Sequence, residues 1–273
     1  MGSVRIERSP LAPGITPVEI HYREWGKGIP LVLLHGGWGY EVYGFDSQVE
    51  RFQELHRIVA PDRSGFGRST RVEALPDEFH KAAAIETLLV LDELGIEKAI
   101  FWGHSDGAVI AAILGLRAPG RTLALILEAF HYDRQKKHSA EFFESMIHEP
   151  ERIGQRAVAA MAREHGEHYW RQVLAAGGNA WLKIIEEASD PRKDFYDNSL
   201  SRLAVPTVLI HGSRDPRTEP GELDAVRAEL PDSPVRVIDG AGHSPHSQPE
   251  ARDECNRIAG DFLAGIRALN GEH

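Results

Sequence analysis

Cysteine is nearly absent: Cys255 is the only one in 273 residues. A single thiol excludes an internal disulfide and a cysteine–zinc cluster. No glycine turn surrounds Cys255, and it falls in a helical stretch from Pro249 to Ala268, so it reads as a packing residue and not as a nucleophile. Long apolar runs are also missing. No window approaches the roughly 18 uninterrupted apolar residues that a membrane-spanning helix needs. Met1 to Pro10 carries Arg5, Glu7 and Arg8 without an apolar run, unlike a signal peptide. Basic residues are outnumbered, with 31 Lys and Arg against 41 Asp and Glu, for a formal net charge of −10. No basic run offsets that excess, so a polyanion is repelled and the acidity serves solubility. The 14 histidines include no His-Glu-x-x-His or similar ligand spacing, so no metal site is expected. The expectation is a cytoplasmic protein acting on a small molecule, with no cofactor and with neither nucleic acid nor membrane as a partner.

What is present is an ordinary globular balance, 42% hydrophobic and 26% charged. Short apolar runs alternate with longer helix-like segments, the pattern of a mostly parallel sheet flanked by helices. Val18 to Trp25 alternates like an antiparallel strand. Ile29 to Leu34 is continuously apolar, as a strand buried on both faces should be. Further strands are predicted at Ile58–Ala60, Ala99–Trp102, Leu123–Leu127, Thr207–Ile210 and Val235–Ile238. Helices are predicted at Glu78–Leu94, with Ala84, Ile85, Leu88, Leu89 and Leu91 on its apolar face, and at Ala108–Leu116 and Glu222–Leu230. Between about His131 and Arg202 the alternation stops. That block holds helical patterns (140–148, 152–165 and 180–188) and no strand, and it reads as a helical insertion lying over one end of a single sheet.

The strongest local signal is Gly103-His104-Ser105-Asp106-Gly107, set between an apolar strand and an apolar helix. A strand-to-helix turn exposes a hydroxyl only at strained backbone angles, and glycines two residues to either side remove the Cβ clashes. A serine hydroxyl also needs a base to take its proton, and that base needs an acid to orient it. Asp215 follows the strand Thr207–Ile210, and His243 follows Val235–Ile238. In a parallel sheet these loops share one edge, so they converge without sequence proximity. The order Ser, Asp, His is the one this arrangement requires.

Over nearly its whole length the chain resembles the α/β-hydrolase superfamily. The resemblance implies an eight-stranded, mostly parallel sheet with helices on both faces, formed by residues 1–130 and 203–273, with residues 131–202 as a helical cap. It implies a triad of Ser105 as nucleophile, His243 as base and Asp215 as orienting acid. His35-Gly36-Gly37-Trp38-Gly39 is similar to the family's oxyanion loop, so the backbone N–H groups of Gly37, Trp38 and Asp106 would hold the developing oxyanion. Such a donor is typically worth about 2.7–4 kcal/mol. The loop Asp62–Ser69 is similar to one that supports the fold. His35 is expected to steady the oxyanion loop, His104 to face the packed side of its strand, and His243 to be preferred over His246 as the base.

Asp106 is the departure, because many relatives carry an uncharged residue directly after the nucleophile. A first-turn acid gains about 0.3–1 kcal/mol from the helix dipole, which accounts for it blandly. Ser105-Asp106-Gly107 also resembles the valacyclovir-hydrolase-like branch, whose members cleave α-amino acid esters. That makes Asp106, with Trp38, a candidate substrate contact. Trp38, Tyr40 and Tyr43 are expected to wall an apolar pocket, and Trp170 and Trp181 belong to the lid or to substrate. Hydrolysis of a small carboxylic ester through an acyl-enzyme is the leading function. A carbon–carbon bond hydrolase or a cofactor-free perhydrolase would use the same three residues, and a non-catalytic ligand receptor on this scaffold is the alternative from another class. Epoxide hydrolases and haloalkane dehalogenases place Asp at the nucleophile position, which Ser105 argues against.

Overall fold

Runs that are apolar on both faces must be covered on both faces, and they are. The computed structural model describes residues 1–269, which form one eight-stranded sheet of order β1-β2-β4-β3-β5-β6-β7-β8. Its strands are β1 (Gly2–Ile6), β2 (Val18–Trp25), β3 (Ile29–Leu34), β4 (His56–Pro61), β5 (Ala99–His104), β6 (Thr122–Glu128), β7 (Thr207–Gly212) and β8 (Val235–Ile238). The β1–β2 and β2–β4 pairs are antiparallel, and all pairs from β4 through β8 are parallel.

Alternate side chains of β5 show how the core is shared. Phe101 packs with Leu34, Leu125 and the helix residues Ala108, Val109 and Ala112 on one face. Ile100 and Trp102 pack with Leu33, Ile126 and Cys255 on the other. The first face is covered by α2 (Phe79–Glu93) and α3 (Asp106–Arg117), the second by α1 (Asp46–Phe52) and α8 (Arg252–Leu269). Cys255 is fully buried, and burial pushes its thiol well above the ordinary value, which suits packing and not nucleophilic attack. Helix α7 (Glu222–Glu229) joins β7 to β8.

Two expectations about helices need correction. Ile85 does not face the core; it is exposed, because α2 turns Ala83, Glu86, Thr87, Val90 and Leu91 inward. Glu86 is buried as an acceptor, taking the Ser64 N–H at 2.8 Å and both the Ser9 and Ser64 hydroxyls. The second correction lies in the block between β6 and β7, which forms α4 (Ala140–His148), α5 (Gln155–His165) and α6 (Tyr169–Glu186). Helix α6 begins well before Ala180. A Cβ at Gly178 would meet the Phe143 carbonyl oxygen at 2.6 Å, so the glycine that looks like a helix breaker is the place where α4 and α6 touch.

Candidate active site

The parallel strands bring five loops to one sheet edge: Gly36–Trp38 after β3, Ser105 after β5, His131 after β6, Asp215 after β7 and His243 after β8. Ser105 sits at φ 55° and ψ −120°, a strained angle for a residue with a Cβ. The flanking glycines make that turn sterically feasible. A Cβ at Gly103 would meet the Gly107 carbonyl at 2.0 Å, and one at Gly107 would meet the Leu34 carbonyl at 2.0 Å.

From this turn the Ser105 hydroxyl reaches His243 Nε2 at 3.0 Å. His243 Nδ1 in turn lies 2.9 Å from both oxygens of Asp215. Burial works against the Asp215 charge, but His243, the Arg217 backbone N–H and His211 outweigh it and hold the carboxyl far below its usual range. The three residues read from the sequence are thus one hydrogen-bonded chain. His246 makes no hydrogen bond to Ser105; it is fully buried, with Nδ1 on Glu128 at 2.7 Å and Nε2 on the Tyr43 carbonyl at 3.0 Å. His104, Glu128 and His246 lie close enough to suggest a metal cluster. Their ring and carboxylate atoms are instead committed to one another, to Trp102 and to the backbone and hydroxyl of the 243–246 loop.

A cavity of about 150 Å³ opens over Ser105. Gly37, Trp38 and Asp106 all border it, as expected for the oxyanion loop and the first turn of α3. Asp106 is the first residue of α3, so its N–H has no intrahelical acceptor. His35 steadies the loop as expected, with Nδ1 2.7 Å from the Gly36 carbonyl. Arg63, from the loop expected to support the fold, steadies the oxyanion loop further: buried, it donates to the carbonyls of His35 and Gly36. Trp38 and Tyr43 stack at 5.6 Å and wall the cavity, and Trp181 closes its roof. Tyr40 does not contribute. It is buried against Trp25, Phe45 and the guanidinium of Arg23. Trp170 is likewise buried in the core.

The Asp106 carboxylate does more than cap a helix. Its Oδ1 accepts from His80 Nε2 at 3.0 Å and from Trp181 Nε1 at 3.1 Å. Burial opposes its charge, yet His80, Arg63 and Trp181 together keep it below the ordinary carboxylate value. Its Oδ2 abuts the oxyanion loop, where a Cβ at Gly37 would meet it at 2.8 Å.

The residue in contact with Ser105 that escaped sequence reasoning is His131. His131 Nε2 lies 3.2 Å from the Ser105 hydroxyl, and its ring stacks on that of His243 at 5.8 Å. Burial takes its imidazole well below the usual value, so it is neutral. With the Ser105 proton directed at His243, His131 donates its own N–H to the same oxygen. No motif marks it. The loop that carries it is anchored by a fully buried ion pair, Lys136 Nζ on both Glu222 oxygens at 2.8 Å. Glu222 also accepts the N–H groups of Tyr132, Asp133 and Glu219. Lys136→Met strands that carboxylate and is expected to lower stability by about 3–5 kcal/mol in urea unfolding. Adding Glu222→Gln, which removes the stranded charge and keeps an acceptor, should recover part of the loss.

Residues 31–252 match a model of the alpha/beta hydrolase family, and the chain belongs to that family. Among curated relatives it is 28% identical to a bifunctional esterase/perhydrolase, DCH, of Acinetobacter calcoaceticus, over 92% of this chain and 97% of that one. It is 24% identical to the serine hydrolase BPHL of Homo sapiens, over 91% of this chain and 84% of that one. Among solved structures, a thermophilic esterase from Thermogutta terrifontis superposes with a TM-score of 0.72 at 22% identity, covering 97% of this chain and 99% of that one.

Proposed function

We propose that the protein hydrolyses small carboxylic esters through a Ser105-His243-Asp215 triad. The observation that carries this is the unbroken hydrogen-bonded chain from Asp215 through His243 to Ser105, set inside a cavity of molecular size. Ser105 attacks the acyl carbon while His243 takes its proton and returns it to the leaving alcohol. Water, activated by the same imidazole, then frees the acid. His243 and not His131 is the base, because only His243 has a carboxylate on its far nitrogen to hold the tautomer and stabilise the imidazolium. His131 supports Ser105 by donating to its oxygen. The N–H groups of Gly37, Trp38 and Asp106 receive the oxyanion, and α4–α6 act as a cap over the acyl group. The test is mass spectrometry after treatment with a fluorophosphonate, with a single adduct on Ser105 expected; unmodified protein would overturn the assignment. Perhydrolysis is the second reading, favoured by the name of the Acinetobacter relative.

The acyl group favoured is one that bears an amine. A carboxylate beside the oxyanion loop opposes the charge that forms there, and a substrate ammonium between them removes the conflict. Asp106 keeps one oxygen free of the His80 and Trp181 hydrogen bonds for that purpose. α-Amino acid esters should therefore exceed matched esters lacking the amine by about tenfold or more in kcat/KM. Asp106→Asn, which keeps an acceptor for His80 and Trp181, should erase the preference. A preference that survives the change would point away from Asp106.

A further inference from the structure

A half-buried arginine without a partner carries an unused charge. Arg217 borders the Ser105 cavity, two residues beyond Asp215 on the same loop. Its Nη1 is buried with no hydrogen-bond partner, and its guanidinium lies 3.9 Å from the centre of the Phe142 ring. A cation–π contact of this kind supplies no hydrogen-bond acceptor, so it leaves Nη1 unsatisfied. The nearby carboxylates are engaged elsewhere. Asp215 is taken by His243, Glu219 accepts from the backbone and ring of His138, and Glu141, across an adjoining cavity of about 280 Å³, forms no ion pair with Arg217 among the described residues. Other buried or half-buried cations among the described residues are provided for, with Arg23 on Asp62, Lys81 on Glu78 and Asp197, Lys136 on Glu222, and Arg63 on two carbonyls. Arg217 departs from that pattern, and it borders the cavity over Ser105.

The geometry points to Arg217 as the site for a carboxylate on the substrate's alcohol portion, so that the ester is one of a hydroxy acid. This rests on the esterase reading above. His243 must reach the departing alkoxide, which places the alcohol on the side of the loops bearing His243, Asp215 and Arg217. The acyl group then lies toward Asp106 and Trp181. A planar guanidinium offers two parallel N–H groups to a carboxylate, and the apolar walls of Phe142, Tyr43 and Trp38 strengthen that pairing by excluding water.

The test compares two esters that share one uncharged acyl group, 3-(acyloxy)propanoate and 3-(acyloxy)propanamide, which differ only in charge. The propanoate should be favoured at least about tenfold in kcat/KM. In Arg217→Met the ratio should fall to near one, and in Arg217→Lys it should be partly kept; fluorophosphonate labelling of each variant verifies its fold. Equal rates for the two esters in the parent protein, or an undiminished ratio in Arg217→Met, overturn the inference. Should neither ester turn over, slower labelling of Ser105 in the presence of the propanoate alone supports it, and equal slowing by both overturns it. The two readings fail separately: activity that persists in Ser105→Ala refutes the serine mechanism, whereas a dead Ser105→Ala with a ratio indifferent to Arg217 refutes only the carboxylate site.

Discussion

Ser105→Ala is expected to abolish fluorophosphonate labelling and to lower kcat on any ester by roughly 10⁴-fold or more. The magnitude follows from the site's construction. Removing the hydroxyl deletes the bond-forming atom and idles His243, whose Nε2 has Ser105 as its hydrogen-bond partner at 3.0 Å. What survives is the catalysis that an intact oxyanion site and bound substrate give to water, roughly 10³–10⁴ over the uncatalysed rate. The fold should be unchanged, because the strain at φ 55° is imposed by the strand, the helix and the two close-packed glycines, and alanine keeps the same Cβ. Labelling that persists in the variant would show that another nucleophile carries the reaction.

Asp215→Asn should cost about 10⁴-fold in kcat with little change in KM. An amide can still hydrogen-bond to His243 Nδ1, but it offers an N–H where an anion is needed. The imidazole then settles in the tautomer that carries its proton on Nε2, facing Ser105, and cannot accept from it. The carboxylate is also what stabilises the imidazolium formed in the transition state. In the parent protein Asp215 is held ionised far below the usual carboxylate range, with burial outweighed by His243. Loss of activity on the acid side therefore does not report protonation of Asp215. A variant within tenfold of the parent would mean that the acid lies elsewhere.

The parts of this site that were legible in the sequence are those fixed by chain-local geometry. Gly103, Ser105 and Gly107 declare a strained turn because the clash they avoid is between near neighbours, and Asp215 and His243 declare themselves by following apolar strands. What was not legible depends on contacts made across the fold. His131 carries no motif; it meets Ser105 only because β6 lies beside β5 in the sheet. Arg217 looks like any loop arginine until its guanidinium is found beside Phe142 with Nη1 lacking an acceptor. Strand β1 was missed because Ser3 and Arg5 interrupt its apolar residues at an edge, and α1 because seven residues leave too little periodicity to see. Gly177 and Gly178 hid the first half of α6 for the opposite reason. Their lack of side chains signals a break locally but permits close helix packing in three dimensions.

The three helices above the cavity are not fastened evenly. On one side Glu164 accepts the backbone N–H groups of Tyr40 and Glu41 at 2.8 and 2.9 Å. Beside it His165 bonds to Gly67 N and the Trp38 carbonyl, and Tyr169 both donates to and accepts from the backbone of Val72. Roof and oxyanion loop are thus stitched together along the end of α5 and the start of α6. On the other side Phe142 meets Trp38 and Arg217 through ring contacts alone. The segment leading into α4 is nevertheless tied to the Asp215 loop, by Lys136 Nζ on the Arg217 carbonyl at 2.8 Å and by His138 on Glu219, so Phe142 is a loosely held patch between two fastened ends. Because α5 bonds to the Trp38 carbonyl and to the N–H groups of Tyr40 and Glu41, any shift of that helix is passed directly to the backbone beside Ser105.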